Sequence, residues 1–80
     1  MNVKEAIAAR IIELCKMKTI APNELGNISG INPSTIYSIL GSKSKSPEVA
    51  TIKKICDGLG ITLGEFFNTP EFDNLEQEIK

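Results

Sequence analysis

Apolar residues recur along the chain at spacings of three and four, and each run has a recognisable start and stop. Asn2 with Glu5 three residues on forms a capping-box-like start, after which Ile7, Ile11, Leu14 and Cys15 share one helical face. This predicts a helix from Val3 to about Met17, with Lys16 and Lys18 at its end. Cations there complement the helix dipole, and their alternative role is contact with phosphate. Pro22 suits a first helical turn because it has no amide hydrogen to lose, and Leu25 and Ile28 supply the inward face of a short second helix ending near Ser29. Gly30 then reads as the turn. Asn32 caps Pro33, and Ile36, Ile39 and Leu40 form the stripe of a third short helix ending at Gly41.

The stretch from Gly41 to Ser46 has no apolar residue and reads as an exposed loop. Pro47 and Glu48 open a fourth helix carried inward by Val49, Ile52, Ile55, Cys56 and Leu59, and Gly60 ends it. Thr62 and Glu65 form another capping box, with Leu63, Phe66 and Phe67 in a short fifth helix before Asn68-Thr69-Pro70. Beyond Pro70, the spacing of Phe72, Leu75 and Ile79 fits either a short amphipathic helix packed on the body or on a second subunit, or a frayed tail. There is no strand-like alternation and no internal repeat, so the fold class is all-α.

Eighty residues with 41% hydrophobic content suffice for one modest core and hence one domain. The net charge of -1 divides unevenly. Residues 1–69 hold eight Lys/Arg against six Asp/Glu, whereas residues 70–80 hold four acidic side chains against Lys80. The expected organisation is a weakly basic body over 1–69 and an acidic tail over 70–80, with modest sequence-independent attraction to phosphate. Charged residues interrupt the N-terminal apolar positions, so neither a signal peptide nor a membrane span is expected, and the location implied is cytoplasmic. With no histidine and only two cysteines, 41 residues apart, neither a zinc site nor a Cys/His catalytic pair can be assembled from one chain. Cys15 and Cys56 read as buried small hydrophobes, the alternative being a disulfide or redox switch. No enzyme activity, metal, cofactor, small-molecule substrate or membrane association is expected.

The segment Pro22 to Gly41 carries the functional pattern: two short helices joined by a three-residue connection, crossing steeply around Leu25, Ile31, Ile36 and Ile39. Gly26 lies where the helices must pass closely, and Gly30 can take a positive φ. Ser34, Thr35, Tyr37 and Ser38 are left outside, on a helix that can enter a DNA major groove with its N-terminal half foremost.

Leu25, Gly26, Gly30, Ile31, Ser34-Thr35-Ile36 and Ile39, continued by Pro47, Ile52, Ile55, Leu59-Gly60-Ile61, Leu63 and Phe66, resemble the Cro/C1-repressor or XRE-type helix-turn-helix family. The resemblance implies a compact five-helix, lambda-repressor-like domain that often binds palindromic operators as a dimer. It also implies that Ser34, Thr35 and Ser38 face base edges with Tyr37 beside them. Residues 42–46 would follow the phosphate backbone, with Ser42, Lys43 and Lys45 among the contacts. A solvated loop is the alternative for that stretch.

Three departures from the family pattern stand out. Ala21-Pro22 replaces a common Thr-Gln pair whose glutamine touches phosphate, and after Asn32 the third helix has no Arg, Lys, Gln or Asn to make bidentate base contacts. Hydroxyls and the Pro33 and Tyr37 rings must therefore read the sequence. Cys15 and Leu40 stand where the family often pairs an arginine with a glutamate; replacing both members by apolar residues is tolerated, whereas losing one would strand a charge. The expectation is a homodimeric transcriptional regulator, a repressor, with Asn32, Pro33, Ser34, Thr35, Tyr37, Ser38, Ser42, Lys43 and Lys45 as its site on double-stranded DNA. The alternative is a protein-interaction module on the same scaffold, such as an antitoxin or anti-regulator.

Overall fold

The computed structural model describes residues 1–41 and 45–79. Among them are five helices, α1 (Val3–Lys18), α2 (Pro22–Ser29), α3 (Pro33–Leu40), α4 (Val49–Leu59) and α5 (Leu63–Phe67), followed by a single turn, α6 (Pro70–Asp73), and no strand. One apolar cluster joins the helices. Ile7, Ile11, Leu14 and Cys15 enter it from α1, Leu25 from α2, and Ile36 and Ile39 from α3; Ile52, Ile55, Cys56 and Leu59 come from α4 and Phe66 from α5. Leu40 packs against this cluster, of which the buried Cys15 is a member, and no polar or charged residue is fully buried among the described residues. Both thiols are free, and burial pushes each above the ordinary cysteine range. They therefore behave as small hydrophobes.

Three helices end in the same way. At the end of α1, Ile20 N–H donates to Cys15 O (3.0 Å) and Thr19 N–H to Lys16 O (3.1 Å). After α2, Ile31 N–H reaches Gly26 O (2.9 Å), and after α4, Ile61 N–H reaches Cys56 O (3.0 Å). Thr19, Gly30 and Gly60 take the left-handed conformation these endings demand. In each, the next residue is an isoleucine that packs back on the core, as the Schellman ending requires of the position after the left-handed residue. Thr19, at φ 56°, holds a β-branched side chain where glycine is favoured.

The buried stripe of α2 differs from the one expected. Leu25 and Gly26 are buried and Pro22 and Ser29 half-buried, whereas Ile28 is 52% exposed. Residues 22, 25, 26 and 29 form the inward row because α2 is clasped on both sides by backbone. A Cβ on Gly26 would lie 2.8 Å from Ile31 O and 3.1 Å from Pro33 Cα, and one on Gly58 of α4 would strike Ser29 Oγ and lie 3.0 Å from Ile28 O. Gly26 and Ser29 stand at the close approaches in this row, and Ile28 is displaced to its edge. Val49 is likewise 65% exposed although it continues the α4 stripe. It is the first residue of the helix, and side chains lean toward the N-terminus, so it overhangs the core.

The tail is held as far as Phe72. Its ring stacks edge-on against Phe67 with centroids 4.9 Å apart and lies 6.3 Å from Phe66. Leu75 is half-buried, but Ile79 is 89% exposed and makes no inward face.

Two substitutions should move stability in opposite directions. Gly26→Ala forces backbone apart and should cost about 1–3 kcal/mol, while Thr19→Gly relieves the left-handed strain and should add about 1 kcal/mol. Urea unfolding of both variants against the parent checks the signs.

Candidate nucleic-acid interface

α3 is built from eight residues with a buried back and a polar front. Ile36 and Ile39 are buried and Pro33 is half-buried against α2, leaving Ser34, Thr35, Tyr37 and Ser38 exposed, with Tyr37 at 53%. Ser34 and Ser38 are one turn apart, as are Thr35 and Ser38, so the front is continuous over the helix. Its surface contains no charge.

Asn32 starts the helix. Its Oδ1 accepts from Ser34 N–H and from the Ser34 hydroxyl, both at 2.9 Å, while Thr35 N–H reaches Asn32 O at 2.8 Å. A backbone N–H can only donate, so the atom it meets is the amide oxygen, and the hydroxyl meeting that oxygen must donate too. The outward capacity left at this end is therefore the Asn32 NH2 as a donor and the Ser34 oxygen as an acceptor.

α3 does not end like α1, α2 and α4. Gly41 is extended, at φ -76° and ψ 149°, so the conformational freedom of glycine is not used there. Its N–H bonds to Tyr37 O (3.0 Å) and Ser38 O (3.1 Å). The next carbonyls are served from outside, by Lys4 of α1, whose Nζ donates to Ile39 O at 2.9 Å and also to Gly41 O. Arg10 does the same for α5: Nε donates to Phe66 O (2.7 Å) and Nη2 to Glu65 O (2.8 Å), with Glu13 accepting from Nη1. Neither residue was among the expected site residues. The available signal was Lys4 lying one turn before Ile7 on the inward row of α1, where a lysine must find an acceptor.

These contacts change the distribution of positive charge. Lys4 and Arg10 are turned to backbone carbonyls, and Lys53 pairs with Asp57 along α4. Lys16, Lys18, Lys45 and Lys54 remain exposed. Of the expected backbone contacts, Lys45 is exposed between α3 and α4, and Ser42 and Lys43 lie outside the described residues.

A steep pair of helices with a polar, solvent-facing second member and a lysine-bearing loop behind it defines a helix-turn-helix protein. The Cro/C1-type HTH DNA-binding domain matches residues 10–71, more than half of the chain, and the chain belongs to that family. It is also similar to the crystal structure of the prophage Lp1 protein 11, with 29% identity and a TM-score of 0.83 over 94% of this chain and 100% of that one. No significant match to a curated protein sequence is found. Among the described residues no helix is long and apolar enough to cross a membrane.

The double role of Asn32 can be separated from the helix it starts. Asn32→Ala should lose the cap and cost about 1 kcal/mol, whereas Asn32→Asp keeps an acceptor at the same place and should remain within a few tenths of the parent. Thermal unfolding of the two variants distinguishes these outcomes.

Proposed function

We propose that this chain is a transcriptional regulator that reads double-stranded DNA through the exposed face of α3, with Asn32, Pro33, Ser34, Thr35, Tyr37 and Ser38 at the major groove. The observation that carries this reading is the uncharged polar front of α3, backed by Ile36 and Ile39 within a Cro/C1-type DNA-binding domain. Ser42, Lys43 and Lys45 then follow the groove edge and meet phosphates, so the loop holds the protein on any duplex while α3 chooses among sequences.

A homodimer follows from the modest reading power of one such helix. Hydroxyls and a tyrosine make no bidentate base contacts, and two half-sites read together supply the missing discrimination. Repression in the cytoplasm is the minimal activity in keeping with this, since a protein bound across a promoter blocks it without further machinery. The division of labour is a DNA-binding body over 1–69 and an acidic tail over 70–80, which faces away from phosphate by charge.

A salt titration of affinity tests the reading. Wild type should bind a duplex selected from a random pool, with log affinity falling linearly against log salt. Lys43→Ala and Lys45→Ala should weaken binding to selected and scrambled duplexes alike and reduce that slope by about one unit each. Ser38→Ala should change the preferred sequence and leave the slope nearly intact. Absence of salt-sensitive binding by wild type would overturn the reading in favour of a protein-interaction module.

A further inference from the structure

We infer that Lys4 is a positioning residue for DNA binding: it fixes the C-terminal end of α3 and neutralises that end where the phosphate-contacting loop begins. The inference rests on the DNA-binding reading above and adds a residue from α1 that lies outside the helix-turn-helix itself.

The contact is specific in three respects. Lys4 is half-buried on the inward row of α1, and its ammonium group reaches Ile39 O and Gly41 O, which flank the last residue of α3. α3 is the eight-residue helix that ends with extended backbone in place of the left-handed turn closing α1, α2 and α4. Lys4 thus supplies from a distant helix part of what the local ending would otherwise provide.

The electrostatic consequence concerns the ligand. A helix C-terminus carries roughly half a negative charge from its unsatisfied carbonyls, and here it lies one residue before the segment 42–46 that is assigned to phosphate. Left bare, that end would repel the backbone which Lys43 and Lys45 attract. The Lys4 ammonium group is directed at the carbonyls and acts through them. By tying Gly41 O to α1 it also holds Gly41, the residue that follows α3, in place.

The test compares Lys4→Gln, Lys4→Met and Lys4→Arg with wild type on the selected duplex and a scrambled one, at a temperature where circular dichroism shows each protein fully folded. Lys4→Met should lower affinity for both duplexes roughly two- to fivefold, as expected for loss of a cation at a helix C-terminus. Lys4→Gln, which keeps a donor without the charge, should fall between, and Lys4→Arg should restore binding. The preferred sequence should stay the same. The salt slope should change by much less than the unit lost in Lys45→Ala, because Lys4 touches no phosphate. Wild-type affinity in folded Lys4→Met would overturn the inference while leaving the DNA-binding reading intact. A full unit of lost slope would overturn it by making Lys4 a direct phosphate contact. Failure of wild type to bind either duplex would overturn both.

Discussion

The orientation of α3 depends on how closely backbone approaches backbone around α2. That helix is clasped between α3 and α4 at Gly26 on one side and Gly58 on the other, and neither position has room for a Cβ. Because contact there is backbone to backbone, rotating or withdrawing α3 would break several contacts together rather than trade one rotamer for another. Leu25, Ile36 and Ile55 are fully buried around this clasp. A rigid mount of this kind is what an exposed helix needs to present the same polar atoms to every ligand it meets. Ser29 shows the cost of the close approach, since its hydroxyl is buried without a hydrogen-bond partner. Nothing in the structure explains a hydroxyl there in preference to a methyl group.

Satisfaction of helix C-termini is the second organising theme. α1, α2 and α4 close themselves with a left-handed residue followed by a core-packing isoleucine. α3 and α5 are closed by cations from α1, Lys4 and Arg10. Arg10 is mostly buried, with 13% of its side chain exposed, so it ties α5 to α1 and thereby holds the phenylalanine cluster that anchors the tail. Two of the body's basic residues are thus committed to structure. Among the described residues, the exposed positive charge is left to a few lysines, among them Lys45.

Features with a strong local cause were legible in the sequence. Asn2 with Glu5, and Thr62 with Glu65, mark helix starts because the side-chain and backbone partners lie three residues apart, and both capping boxes form. Pro22, Gly30, Pro33 and Gly60 fall where their backbone constraints place them. Legibility ended where a partner distant in sequence decides the outcome. Ile28 is exposed because Gly58, thirty residues away, needs the space beside Ser29. Likewise, Lys4 and Arg10 find carbonyls 35 and 56 residues on; the inward position of Lys4 called for an acceptor, but no local pattern announces which one. The front of α3 was readable as residue types, but the fixed polarity of Asn32 and Ser34 depends on hydrogen-bond directions that only coordinates supply.

Amide chemical-shift mapping tests whether α3 is the surface that meets DNA. Nitrogen-labelled protein would be titrated with a duplex enriched from a random pool. If α3 meets DNA, the largest shifts fall on residues 32 and 34–38 and on Lys45, while α5 and residues 70–79 change little. Shifts concentrated on α5 and the acidic tail, with α3 unperturbed, would contradict it.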